Sequence, residues 1–326
     1  MQRLWPALVA VVAMTCGLVA TAEEAAPPPQ PQSPPTFAWP DGLVLDVTFS
    51  VDGKRIRGGT TESTRSSSGF QWTVAVDDEG RRTVRRDALP KAPSQIVELP
   101  VDANGERVPY FKEVQELIDD LGSYVPAFVV DRNGTFVRAE GLEKTIERRD
   151  LILDRAAAPA PLRAQLASLL SEEAAELRVA DEWKMMVESW LAFDWSAGSE
   201  FEQERIGRVN ETQPPVTLIV TFRHLGSVPC GAGDEAESCI ALEAISEPDP
   251  EDVELLLRRT RVHDVTDLQD FTLENRIYVE AHPETMVPTK FEVYRLYVAD
   301  YGPEAPDNVF THDERRRTWR FVEAGE

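Results

Sequence analysis

Apolar and polar residues alternate over long stretches of this chain. Leu43, Leu45, Val47, Phe49 and Val51 occupy one parity while Asp46, Thr48 and Ser50 occupy the other, the period of a half-buried strand. Asp52-Gly53 carries hairpin-turn chemistry and predicts a reversal there. Phe70, Trp72, Val74 and Val76 alternate in the same way, and the acidic turn Asp77-Asp78-Glu79-Gly80 leads into Thr83 and Val84, extending a β-meander. Between Pro109 and Gly122 the period changes, because Phe111, Val114, Leu117, Ile118 and Leu121 share one face of a short helix. Two further extended pieces, Ala127 to Val130 and Thr135 to Val137, flank Asn133-Gly134, the strongest short-range hairpin signal.

From Leu142 to Leu191 helical spacing dominates. Leu162, Leu166, Leu169, Leu170 and Leu177 form one stripe, and Val179, Trp183, Met186, Val187, Trp190 and Leu191 form another. Period two then returns in Val216, Leu218, Val220 and Phe222, in Ile240 and Leu242, and over 277–281, 291–298 and 318–322. Asp249-Pro250 opens a brief helix over Val253 to Leu257, since Asp caps well and Pro suits the first helical position. The order β, α, β predicts an α+β fold: an antiparallel, strongly curved, incomplete barrel-like sheet packed against a central helical insertion at about 142–191.

Upstream of this body the pattern has a different purpose. Arg3, the apolar run Leu4 to Val19 and the triplet Ala20-Thr21-Ala22 read as a cleavable export signal over residues 1–22. A retained anchor is the alternative, but the run falls short of the roughly 20 residues that span a bilayer and contains Pro6. A lipid anchor at Cys16 is a second alternative, weakened by Thr15 in the place of a small Gly or Ala. Residues 23–40 are proline-rich and predict an extended linker, which leaves 41–326 as a single domain. After cleavage the expected site of action is the periplasm or the cell exterior, with no transmembrane helix remaining.

With 42% of the full chain apolar, the body can bury a core, so disorder is excluded as a class. The net charge of −23 becomes −24 once Arg3 is removed, and this field argues against nucleic acid or an anionic membrane surface as a partner. The short basic run Arg315-Arg316-Arg317 follows Asp313 and Glu314 and reads as a solvated strand face.

Three cysteines are present. Loss of Cys16 with the signal leaves Cys230 and Cys239 alone in an oxidising compartment, where they are expected to form a structural disulfide across a polar, glycine-bearing loop. A redox pair is usually closer in sequence, and a metal site would need more thiols or histidines nearby, so no metal is expected.

Motif searches for catalysis return absences. The chain has no G-x-S-x-G elbow, no phosphate loop, no H-E-x-x-H and no complete EF-hand; Asp102 to Glu106 is half a calcium loop at most. His224, His263, His282 and His312 are each alone in their segments, and 57 carboxylates are too many for any pair to be nominated by acidity. No catalytic residue and no cofactor is expected. Trp183, Met186 and Trp190 are the candidate ligand-lining residues, because a helix laid across a curved sheet leaves an apolar pocket suited to acyl chains; core packing is the competing reading.

The segments FVVDRNGTFVRAEG, VADEWKMMVESW and VEAHPETMVPTKFEVY resemble exported bacterial β-rich domains of unknown function, and the last is also similar to periplasmic lipoprotein carriers. In such carriers strands and helices enclose acyl chains, so the resemblance implies binding rather than catalysis. The expectation is a non-enzymatic periplasmic or surface binding protein for a hydrophobic small molecule, a lipid-like ligand or an envelope partner protein. A hydrolase acting on envelope material and a structural component of an envelope complex are the alternatives.

Overall fold

The computed structural model describes residues 37–57, 60–88, 126–155, 167, 171–191, 196, 198–208, 215–230, 237–253, 270–300 and 311–324, all within the compact unit Pro31–Glu326. The expected signal, the helix at 110–121, the Asp102 turn, His263, the expected helix beyond Val253, and Leu162, Leu166, Leu169 and Leu170 lie outside these residues.

Eleven strands form one antiparallel sheet. In chain order they are β1 Val44–Arg57, β2 Thr60–Val76, β3 Arg82–Ala88, β4 Ala127–Val130, β5 Phe136–Glu140, β6 Glu200–Arg208, β7 Pro215–Pro229, β8 Ser238–Pro248, β9 Asp270–Ala281, β10 Pro288–Asp300 and β11 Thr311–Glu323. The spatial order is β5-β4-β3-β2-β1-β11-β10-β9-β8-β7-β6. Each strand pairs with its neighbours in sequence, except that the first and last strands meet at the centre and β5 and β6 are left as unjoined edges. Between those edges the described residues include two helices, α1 Leu142–Arg155 and α2 Glu172–Met186, and a 3-10 turn at Glu188–Trp190.

This arrangement corrects the expected class. Among the described residues the protein is largely β, with only 18% of them helical, and its sheet is not closed; it is not a balanced α+β fold. The helical spacing from Leu142 to Leu191 signals a local insertion, whereas the eleven strands carry the architecture.

Alternation explains the strands. In β1, Leu45 and Val47 are buried while Asp46, on the other face, accepts a hydrogen bond from Gln71 Nε2 at 2.9 Å. Val47 pairs with Phe321 and Phe49 with Trp319, and the Trp319 ring lies 4.7 Å from Phe49 and 4.9 Å from Phe291. The reversal predicted at Asp52-Gly53 does not occur. β1 runs through both residues, each paired on two sides, and continues to Arg57, which pairs with Thr60 of β2. Two ladders outweigh a local turn preference.

At the Asp77 turn the side chain accepts from the Glu79 and Arg81 amides at 2.9 Å each, and Arg81 Nε donates to Asp77 Oδ2 at 2.8 Å. At the β4–β5 hairpin Asp131 accepts in the same manner from Asn133 and Thr135, and Gly134 adopts φ 86°, in the left-handed region that favours glycine.

Helix α2 begins at Ser171, whose hydroxyl accepts from the Ala174 amide at 3.2 Å, with Glu172 and Glu173 in its first turn. It buries Ala175, Val179, Ala180, Trp183 and Met186. Leu177 belongs to the other expected stripe but is 59% exposed, because it falls on the helix face turned away from the sheet.

Trp183 packs on Phe128 of β4, and Trp190 packs on Phe222 of β7. Eight strand spacings separate β4 from β7, about 38 Å in a flat sheet, whereas seven residues of helix rise only about 10 Å. The sheet therefore rolls until both ends lie beneath one helical segment. Glu188 Oε2 and Glu176 Oε1 accept from the Phe136 and Ala139 amides at 2.9 and 3.3 Å, satisfying donors of edge strand β5. Phe37 and Trp39, in the last residues of the segment read as a linker, are buried in this core.

Candidate binding cleft

The interior divides into a packed part and an open part. Trp183, with no exposed surface, is ringed by Phe37, Trp39 and Phe128 at centroid distances of 5.8, 5.3 and 5.3 Å, and its indole N–H donates to the Gly134 carbonyl at 2.8 Å. Arg86 of β3 stacks over Phe70, Trp72 and Phe128 and donates to Glu182 Oε1 at 2.7 Å, anchoring α2 to the sheet.

Seven residues further on, the packing opens. A cleft of about 840 Å³ lies between the end of α2, the 3-10 turn and strands β6, β7 and β8. Trp190, Phe201, Phe222 and Leu242 supply its apolar surface, with Gln203, Arg205, Lys184, Glu188 and His224 among the polar groups around it. Trp190 is held by its indole N–H, which donates to the Met185 carbonyl at 2.8 Å. Phe201, Gln203 and Arg205 share a parity on β6 and pair with Phe222, Val220 and Leu218, so the core face of the sheet continues into the cleft wall. Phe201 remains 51% exposed.

The Arg205 guanidinium lies 5.4 Å above the Phe222 ring and donates to the neutral Gln203 Oε1; among the described residues it meets no carboxylate. Arg223 differs. Its Nε donates to Glu200 Oε2 at 2.9 Å, and that carboxylate raises its already high pKa. His224 is buried, at a bulge where Gly226 takes φ 105°, and its backbone exchanges hydrogen bonds with Gly198 and Ser199.

Of the three residues nominated from the sequence, Trp190 borders the cleft, while Trp183 and Met186 lie in the packed core. Sequence reasoning missed Phe201, Arg205 and the whole of β6. Its sequence, EFEQERIGR, carries no buried face, so the signal was confined to the isolated Phe201 and Ile206.

Cys230 and Cys239 are bonded, with Cα atoms 5.0 Å apart. The structure adds His282, whose Nδ1 lies 3.7 Å from Cys230 Sγ and 3.5 Å from Glu237 Oε2. His312 Nε2 is 3.6 Å from Glu314 Oε2. Arg315 and Arg316 pair with Asp313 and Glu292, whereas partial desolvation and the neighbouring Arg315 and Arg295 lower the pKa of Arg317, which is still exposed. Among the described residues no helix is long and apolar enough to cross a membrane.

No family model and no curated protein matches the chain. Among solved structures it is similar to the translocator domain of the autotransporter NalP from Neisseria meningitidis, at 8% identity over 86% of this chain and 89% of that one, with a TM-score of 0.16. It is also similar to an outer membrane channel from Pseudomonas putida F1, at 6% identity over 88% of this chain and 98% of that one, with a TM-score of 0.15. Scores this low carry no argument for fold or function.

Proposed function

We propose that this is a non-enzymatic binding protein of the cell envelope, exported by residues 1–22, which holds a hydrophobic, lipid-like ligand with an anionic head in the cleft between the 3-10 turn and β6–β8. The observation that carries the reading is the meeting of an aromatic wall, Trp190, Phe201 and Phe222, with the Arg205 guanidinium, which has no carboxylate partner among the described residues. The cleft falls within the roughly 300–1,000 Å³ of small-molecule sites, and a guanidinium above an aromatic ring suits a carboxylate or phosphate head beside an apolar body. The likeness of VEAHPETMVPTKFEVY to lipoprotein carriers supports the same reading.

The test is a titration with a fluorescent fatty acid. Phe201 is half exposed, so Phe201→Ser spares the core, and losing apolar contact worth about 1.5 kcal/mol or more weakens the probe at least tenfold with an unchanged denaturation midpoint. Arg205→Gln weakens the fatty acid but spares its uncharged alcohol. Absence of saturable uptake by the wild type, or indifference to both substitutions, overturns the reading. Native mass spectrometry of protein from its own envelope adds an independent check, since a co-purifying subunit in place of a small hydrophobic molecule would move the assignment to a component of an envelope complex.

A further inference from the structure

The disulfide has a neighbour that a purely structural bridge does not require. Antiparallel pairing of β8 with β9 matches Ile240 to Ala281, which carries Cys239 alongside His282 at the strand ends. Pairing of β7 with β8 matches Val228 to Cys239, and beyond it the Cys230 amide donates to the Glu237 carbonyl at 2.8 Å. Three adjacent strands thus deliver two sulfurs, an imidazole and a carboxylate to one place. The His282–Val287 turn fixes the imidazole's backbone: the His282 amide donates to Val287 at 3.0 Å, and the Met286 amide donates to His282 at 2.8 Å.

We propose that Cys230, Cys239 and His282 form a redox-gated site for a thiophilic divalent cation of the zinc class, closed as the disulfide and opened by reduction. Both Sγ atoms and His282 Nδ1 lie within 4.8 Å of one another. Donors around a tetrahedral zinc ion sit about 3.3 to 3.8 Å apart, as bonds of 2.0 to 2.3 Å require. The distance of 3.7 Å from Cys230 Sγ to His282 Nδ1 meets that spacing. Glu237 Oε2 lies 3.5 Å from the same nitrogen on an 80% exposed side chain, outside this three-residue group. The two sulfurs must separate, and bond cleavage permits that movement.

The chemistry balances with a dithiol as reductant. Its two thiols give two electrons to the Sγ–Sγ bond and two protons to the resulting cysteines, leaving as a cyclic disulfide. The cation then displaces both protons into water and forms two metal–sulfur bonds. Cys230 is partly exposed while Cys239 is wholly buried, so the reductant reaches the pair through Cys230. The overall charge of −23 favours cations over anions in the neighbourhood.

The experiment titrates Co(II) anaerobically into the full chain, oxidised and after phosphine reduction, while near-ultraviolet circular dichroism follows the tryptophans. The reduced protein is expected to take up one equivalent with a thiolate-to-cobalt charge-transfer band and the d–d bands of a tetrahedral ion. The oxidised protein and reduced Cys230→Ser/Cys239→Ser show neither. His282→Ala weakens uptake beyond the roughly 10–100-fold cost of losing an outer-shell partner. A reduced protein without the charge-transfer band overturns the proposal. So does uptake indifferent to His282→Ala, or a tryptophan signal that reduction abolishes and the metal does not restore. Fatty-acid binding is measured on the same samples, so failure of the cleft and failure of the metal site are read separately.

Discussion

Replacing Trp183 tests whether the helical segment is part of the core. The indole has no exposed surface, touches three other aromatic rings and donates to the Gly134 carbonyl at 2.8 Å. A buried Trp removes on the order of 150–250 Å² from water, which at about 25 cal/mol per Å² is roughly 4 to 6 kcal/mol, an upper bound because unfolded chains are themselves partly collapsed. Large-to-small core changes of this kind cost about 3 to 5 kcal/mol, so Trp183→Ala should lower the unfolding free energy by that amount in urea. Trp183→Phe keeps most of the ring contact but strands the Gly134 carbonyl, at about 1 to 3 kcal/mol. The pair of values separates packing from hydrogen bonding. A loss below about 1 kcal/mol for Trp183→Ala would refute the reasoning, because no packed core releases a tryptophan so cheaply. Fatty-acid affinity per folded molecule should stay unchanged in both variants, since Trp183 does not border the cleft.

Gly134→Ala places a Cβ 2.7 Å from both Leu191 Cδ1 and Phe37 Cγ at φ 86°, so about 1 to 2 kcal/mol of backbone strain and about 1 to 3 kcal/mol of overpacking should appear as a lower melting temperature; an unshifted transition would contradict this. Cys230→Ser/Cys239→Ser opens a loop closed over a separation of nine residues and should cost about 3 kcal/mol in the chain-entropy model, read by urea denaturation and tested against an unchanged midpoint. The Asp77 carboxyl is held below the ordinary range, chiefly by the Arg81 side chain. Its stabilisation is therefore present above the unfolded pKa and lost as pH falls through the lower folded value. Arg81→Ala should move the Asp77 titration upward in carboxyl NMR, and an unmoved titration would reject Arg81 as the cause.

Much of the local structure is written in short-range pattern. Alternation in Leu45 to Phe49 and in Leu218 to Phe222 identifies strands because each has one buried face. Asn133-Gly134 marks its hairpin because few residues other than glycine accept φ 86°. The buried stripe Val179, Trp183, Met186, Val187 and Trp190 follows from helical spacing, and the cysteine pair follows from there being two thiols left in the expected mature chain. β6 escapes such reading because an edge strand without a buried face has no period to display.

Pairing over distance is another matter. That β1 joins β11, that Cys239 comes beside His282, and that Trp183 is sealed while Trp190 in the same stripe opens onto a cleft are all set by the whole sheet. The physical reason is that a residue pattern specifies which face of an element avoids water, whereas what covers that face depends on burial summed over every strand. Asp52-Gly53 shows the balance: its turn preference is local, and two long ladders overrule it.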